Sequence, residues 1–251
     1  MKFKTILTSF SFIILLIILL PLIKILFSSS PEILIKTAKE KEVINSILLT
    51  FRASLWSSLF AIIFGIPVAY LIAREDFKFK KIVEGIIDIP VIIPHTAAGI
   101  ALLSVIGRNS IVSKIFGGSL IGTEIAISIG MFFVSVPFLI NSVKDGFKMV
   151  DVRYENTAIT LGASRFQAFY TISLPMVKKS IITGFIMMWG RGISEFGAVI
   201  ILAYHPITAP VLIFERFQNF GLKYAVPITV ILIILTLIIF IFARWISDKD
   251  R

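Results

Sequence analysis

The chain has six stretches that are long and apolar enough to cross a lipid bilayer as helices. A helix needs about 20 mostly apolar residues to span the hydrocarbon core, and each stretch is close to that length with at most two ionisable side chains inside it. The stretches are residues 5–23, 53–73, 86–107, 125–143, 180–202 and 224–243. Because lipid offers no hydrogen-bond partner to exposed backbone, this pattern predicts an all-α membrane protein with six transmembrane helices.

The composition supports this class of fold. Hydrophobic residues make up 57% of the chain and charged residues 16%, whereas soluble domains average about 45–50% and about 25%. We expect residues 1–251 to form a single transmembrane domain. With no cysteine and two histidines, the chain is expected to hold no metal or cofactor. It also lacks the phosphate-binding motifs G-x-x-x-x-G-K-[ST] and G-x-G-x-x-G, so it is not expected to hydrolyse ATP by itself.

The distribution of Lys and Arg predicts the orientation in the membrane. With six spans, both termini lie on one side, and the segments on that side carry 15 Lys and Arg against 9 on the other side. Cytoplasmic loops carry the excess, so both termini are expected in the cytoplasm. The same distribution accounts for the net charge of +10 without a nucleic-acid partner. The first stretch lacks a cleavage signal and is expected to remain as an uncleaved anchor.

The segment 144–179, between the fourth and fifth spans, is too long and too patterned to be a plain connection. Asp151 is placed to cap a short helix, and Gly162 to end that helix in a left-handed conformation. Ser164 and Gln167 have the spacing of a capping box, which opens a second helix. The sequence therefore predicts a folded pair of helices projecting from the cytoplasmic face.

This segment resembles the EAA loop of ABC importer permeases. The residues that match the loop are Glu155, Ala158, Gly162, Ile172, Leu174 and Pro175. The sequence departs from the family at Asn156 and Thr157, where alanines are common. The resemblance implies that segment 144–179 docks onto a separate ATP-binding subunit and carries its motion to the spans. Pro175 is also expected to close or kink the second helix.

Further runs resemble the sulfate and molybdate branch of these permeases. They are residues 65–74 and 191–198, and residues 88–99 and 203–210 look most like archaeal tungstate/molybdate permeases. The resemblance implies the type I ABC importer permease fold, a second copy of the chain, two ATP-binding subunits and an external oxyanion-binding protein. It implies transport of molybdate or tungstate, with sulfate or thiosulfate as the alternative substrates.

Two groups of polar residues are predicted inside the membrane. Pro90 and Pro94 interrupt the third span, so Pro94, His95 and Thr96 are candidate pore-lining residues, although a satisfied buried histidine fits the pattern equally well. Asp88 is expected to pair with a basic loop residue.

In the fifth span, Arg191 lies about 18 Å beyond Lys179, near the middle of the bilayer. Glu195 follows one helical turn later, with Ser194 beside it. A structural ion pair is favoured here over an arginine that guides the anion.

Two other classes of protein fit a six-span chain. An ion-coupled secondary transporter would have paired broken helices in two repeats, and only the third span shows a clear break in sequence. A membrane scaffold would have no use for the costly Arg191 and Glu195. The small residues Ala61, Gly65 and Ala69 are expected to pack helices within the chain.

Overall fold

A computed structural model describes residues 2–115 and 117–248, in which all regular secondary structure is helical. The first half contains α1 (Lys2–Leu26), α2 (Pro31–Ala38), α3 (Lys41–Arg74), α4 (Lys80–Ile92), α5 (His95–Ile106), α6 (Ile111–Ile115) and α7 (Glu124–Met149). The second half contains α8 (Arg153–Thr160), α9 (Arg165–Ala168), a π-helical segment (Phe169–Ser173), α10 (Leu174–Met176), α11 (Lys178–Ile193), α12 (Gly197–Leu202), α13 (Ala209–Phe220) and α14 (Leu222–Asp248). The prediction of an all-α chain is confirmed.

Four helices, α1, α3, α7 and α14, are each long and apolar enough to cross a membrane. Two pairs of helices meet the same test together, although each pair is sharply bent. The chain bends by 113° between α4 and α5, and by 69° between the segment Arg165–Met176 and α11. The described residues thus hold up to six spans, in the predicted order.

The predicted interruption of the third span is confirmed. Helix α4 ends at Ile92 and α5 begins at His95. Ile93 is extended, with ψ of 150°, because the ring of Pro94 disfavours a helical conformation in the preceding residue.

The prediction of one continuous helix over residues 180–202 is wrong. Helix α11 ends at Ile193 and α12 begins only at Gly197. Oε1 of Glu195, within the break, accepts a hydrogen bond of 2.8 Å from the backbone N–H of Ala198. Ala198 lies in the first turn of α12, where a backbone N–H has no partner inside the helix. The kink expected at Pro175 is observed two residues later, at Val177, directly before α11 begins.

Helices α3, α7 and α11 pack together as the centre of the fold. Ala61 and Ala69 of α3 are fully buried with Leu139 and Val143 of α7. Gly184 of α11 allows a close approach to α7, since a Cβ atom there would lie 3.2 Å from Cα of Leu139. The small residues therefore pack helices within the chain, as expected. Helix α1 adds nothing to this core, because its most apolar window has no buried residue.

The connection between α7 and α11 (residues 150–177, the connection segment) folds as the predicted pair of helices. Asp151 accepts a hydrogen bond from the backbone N–H of Arg153 at 2.9 Å, where α8 begins. Gly162 has φ of +98°, the left-handed conformation that was predicted. Ser164 and Gln167 form the complete capping box at the start of α9.

Candidate functional site

The break between α4 and α5 places the three candidate pore residues of the third span at one turn of the chain. Pro94 precedes α5, and His95 and Thr96 are its first two residues. Pro94 and Thr96 are exposed in the single chain, whereas His95 is partly buried. The side chain of His95 therefore points towards the fold while its neighbours line the open side.

The break between α11 and α12 holds the second group. Arg191 lies in the last turn of α11, and Ser194 and Glu195 lie in the non-helical break itself. Glu195 is completely buried and Ser194 is exposed. The fifth span thus places a carboxylate inside the fold at a point where the backbone is not helical.

The two breaks meet because the helices that follow them pack closely. A Cβ atom on Gly197 would lie 2.7 Å from Cβ of His95. A Cβ atom on Gly99 would lie 3.0 Å from Cα of Ala198. Glycine is required at both positions of contact between α5 and α12, and this packing brings the third and fifth spans together.

An ion cluster joins the two breaks. Oε2 of Glu195 lies 2.9 Å from Nδ1 of His95 and 3.1 Å from Nη2 of Arg191. The same Nη2 atom lies 2.8 Å from each ring nitrogen of His95. Nη1 of Arg191 donates to Oγ of Ser194 at 3.2 Å. The structure thus brings four of the six predicted intramembrane residues into one network, which we call the ion cluster (His95, Arg191, Ser194 and Glu195).

The ion cluster is closed on one side and open on the other. The side chain of Glu195 is 0% exposed, whereas those of Arg191 and His95 are 22% and 33% exposed. A guanidinium carries five N–H donors and no acceptor. Donors of Arg191 can therefore reach a ligand that accepts hydrogen bonds, while the carboxylate of Glu195 behind the guanidinium is screened from it.

A cavity of about 560 Å³ lies between α4, α7 and α11. Its polar lining comes from Asp88, Asn141, Ser142, Asp145 and Ser180. The predicted pairing of Asp88 with a basic residue is wrong, because Oδ1 of Asp88 accepts a hydrogen bond of 2.7 Å from Asn141. The nearby Lys144 is already held by Glu84 at 3.2 Å.

The connection segment presents most of its predicted docking residues at or near its surface. Gly162 and Pro175 are exposed, and Ala158, Ile172 and Leu174 are partly buried. Apolar side chains beside them face outward, with Leu161 83% and Phe166 70% exposed. These exposed apolar side chains are therefore a candidate interaction surface.

Glu155 is placed differently from the other matched residues. It is only 5% exposed, and its carboxylate is bonded to Tyr70 and Arg74 near the end of α3. Sequence reasoning gave no role to Tyr70 and Arg74, although both lie in a run that carries the family resemblance. The feature that could have identified them is a tyrosine and an arginine four residues apart at the end of a span.

Non-helical backbone inside a membrane persists only where protein buries it or where it lines a water-filled cavity. Interrupted helices whose breaks meet around buried charged groups are typical of membrane proteins that move a solute. Residues 61–249 match the family described as the binding-protein-dependent transport system inner membrane component. The chain belongs to this family and is a multi-pass permease of the cell membrane.

The relatives agree with this membership. The chain is 43% identical to the molybdate/tungstate transport system permease protein WtpB of Thermococcus kodakarensis, over 89% of this chain and 87% of that protein. It is also 43% identical to the protein of the same name from Methanocaldococcus jannaschii, over 97% and 96%.

A solved structure shows the same fold. It is a bacterial ABC transporter involved in the import of the acidic polysaccharide alginate, with a TM-score of 0.75 and 17% identity over 99% of this chain and 96% of that one. The expected ABC importer permease fold is confirmed.

Proposed function

We propose that the chain is the membrane subunit of an ATP-driven importer of molybdate and tungstate. The substrate is supported by the 43% identity to molybdate/tungstate permeases over most of both chains. Because the sequence has no nucleotide-binding motif, we assign ATP hydrolysis to two separate ATP-binding subunits. A second copy of the chain completes the transport path, and an external oxyanion-binding protein delivers the substrate.

The partly exposed Arg191 in the ion cluster is the observation that supports an anion path most directly. A tetrahedral dianion such as molybdate offers oxygen acceptors and no donor at neutral pH. Arg191 supplies donors from the open side of the cluster, and Pro94 and Thr96 line the turn of the chain beside His95. Charged donors form the stronger hydrogen bonds to such oxyanions.

Glu195 keeps this contact weak enough for transport. A lone buried cation would hold a dianion tightly, whereas a transport path requires binding that is weak enough for release. With its carboxylate 3.1 Å from Nη2 of Arg191, Glu195 offsets the charge and holds the guanidinium in place. The anion therefore meets an arranged set of donors with little net positive charge.

The connection segment is proposed as the docking site for the ATP-binding subunit. The exposed Leu161 and Phe166 offer an apolar surface, and the tight turn at Gly162 has no atom within 4 Å of a Cβ position. A partner can therefore approach the backbone closely at this turn. Ala158, Ile172, Leu174 and Pro175 complete the proposed contact region.

The proposed orientation follows from the Lys and Arg distribution. Both termini and the connection segment are assigned to the cytoplasm, where 15 of the 24 Lys and Arg outside Arg191 would lie. The single domain then presents α2 and the residues around α13 to the external binding protein.

Reconstituted transport tests this proposal. The permease, its ATP-binding subunit and its oxyanion-binding protein would be placed in proteoliposomes, and uptake of molybdate, tungstate, sulfate and thiosulfate measured by mass spectrometry. We expect uptake of molybdate and tungstate that requires ATP and the binding protein. A nonhydrolysable ATP analogue is the matched control.

Two results would contradict the proposal. Preferential uptake of sulfate or thiosulfate would replace the assigned substrate. Uptake that follows an imposed ion gradient and ignores ATP would instead indicate a secondary transporter.

A further inference from the structure

Glu155 lies on a surface helix, yet it is the one buried residue of α8. Its seven neighbours in Arg153–Thr160 are exposed or partly exposed. An ionised carboxylate is costly to bury unless charged or polar partners surround it. The burial of Glu155 therefore points to a specific set of partners inside the fold.

Those partners come from the end of α3. Oε2 of Glu155 accepts a hydrogen bond of 2.8 Å from the hydroxyl of Tyr70, and Oε1 accepts one of 2.8 Å from Nε of Arg74. Nη2 of Arg74 lies 2.7 Å from Oε1 as well, without hydrogen-bond alignment. Both carboxylate oxygens are thus occupied within the chain, and the side chain is not available to a docking protein.

Arg74 extends the connection to a second span. Its Nη1 atom donates to the carbonyl oxygen of Phe147, in the last turn of α7, at 2.8 Å. The ring of Tyr70 also lies 5.1 Å from that of Phe147 and 4.7 Å from that of Phe169. The buried pair therefore joins α8 to the ends of α3 and α7 and to the π-helical segment that leads towards α11.

We infer that Glu155 is a positioning residue: through Arg74 and Tyr70 it fixes α8 to the ends of α3 and α7, so that a displacement of α8 moves the spans with it. This inference rests on the proposed docking of the connection segment. Because Glu155 is the one buried side chain of the short helix α8, its ion pair is the contact through which α8 can transmit a force to the spans. Without the pair, the same displacement would be absorbed by rotation of α8 on the surface.

The absence of cysteine in the chain allows a direct test with two spin labels. Labels at Glu75→Cys, after α3, and Thr157→Cys, on α8, report the distance between the two elements by electron paramagnetic resonance. The assembled transporter is measured at rest and with a nonhydrolysable ATP analogue. In the wild-type background, we expect the distance between the two labels of one chain to stay the same in both states. Singly labelled chains identify the distances between the two copies.

The test variant combines Arg74→Met with Glu155→Leu, which removes both buried charges together. We expect a broader distance distribution and a loss of at least about fivefold in the stimulation of ATP hydrolysis by loaded binding protein, the lower end of typical coupling between sites. Asn156→Ala, on the exposed side of α8, is the matched control and is expected to retain wild-type distance and stimulation.

The outcomes separate the two proposals. A double variant with wild-type distance and wild-type stimulation overturns the inference. The inference is also overturned if the double variant folds but does not copurify with the ATP-binding subunit while the wild-type chain does. In that case Glu155 would contact that subunit directly. Failure of the wild-type chain to copurify removes the proposed docking, and the inference with it. If the double variant does not fold, Tyr70→Phe removes a single hydroxyl, and unchanged stimulation in that variant overturns the inference.

Discussion

Nδ1 of His95 lies 2.9 Å from Oε2 of Glu195, although His95 opens α5 and Glu195 lies in the break between α11 and α12. The contact joins two interrupted spans at their breaks, and Arg191 shares both partners. Each of the three groups has a partner inside the membrane, where an isolated charge is costly. The cluster is therefore both a structural junction and the proposed oxyanion contact.

Separate removal of each charge of the cluster is expected to lower the folded yield by different amounts. Glu195→Met leaves Arg191 without an anion, which costs at least about 2.5–3.5 kcal/mol on insertion scales. Arg191→Met is milder, because Glu195 keeps His95 at 2.9 Å and the N–H of Ala198 at 2.8 Å. Detergent-extracted yield measures this order, with Arg244→Met on the exposed surface of α14 as the control.

The double variant Arg191→Met with Glu195→Met tests the anion role. With no unpaired charge left, its folded yield is expected to recover. Its rate of molybdate uptake is expected to stay at least about tenfold lower than that of the wild type, which corresponds to a rise of about 1.4 kcal/mol in the activation free energy of transport. Uptake that recovers together with yield would show that Arg191 serves only as a structural partner of Glu195.

Gly162→Leu is expected to leave the protein in the membrane and abolish stimulation of ATP hydrolysis by loaded binding protein. The backbone has φ of +98° at this turn, which costs a residue with a side chain about 1–2 kcal/mol, and the leucine adds bulk where we propose that the partner approaches. Gly162→Asn is the control, because asparagine tolerates left-handed backbone better. Normal stimulation in Gly162→Leu would exclude this turn from the docking site.

Single cysteines report the orientation, since the chain has none of its own. Lys81→Cys at the start of α4 and Lys39→Cys after α2 are both exposed positions. A membrane-impermeant maleimide added to intact cells is expected to label Lys39→Cys, and Lys81→Cys only after permeabilisation. Labelling of both from the same side would contradict the six-span arrangement. Lys249, a similar position at the C-terminus, lies outside the described residues.

Tyr204 provides a pH-dependent contact in the loop before α13. Its hydroxyl donates a hydrogen bond of 2.6 Å to Glu215, and this bond raises the pKa of Tyr204 above its ordinary value of 10.0. The contact contributes fully below the pKa of the unfolded chain and is lost as pH rises through the raised pKa. Glu215→Gln is expected to lower the Tyr204 pKa in an alkaline ultraviolet titration, and Tyr204→Phe identifies its signal. An unchanged titration in Glu215→Gln would mean that the Glu215 carboxylate does not raise the Tyr204 pKa.

The amino-acid sequence by itself determined the spans, the break at Pro94, the left-handed turn at Gly162 and the capping box of Ser164 and Gln167. These features depend on local causes: the length of an apolar run, the missing N–H and ring of proline, the freedom of glycine, and side chains that bond their own backbone three residues away. The same local pattern misled at the fifth span, because residues 180–202 are apolar enough for one helix and nothing nearby in sequence announces the break.

Only the tertiary structure decided which distant groups meet. It extended the i, i+4 pair of Arg191 and Glu195 into a network that includes His95. It also paired Asp88 with Asn141 and turned Glu155 inward to Arg74. Each outcome follows from burial: a polar group removed from water takes the partner that packing brings within about 3 Å. Sequence spacing does not specify that partner, because the packing of whole helices, such as α5 on α12 at Gly99 and Gly197, decides which groups meet.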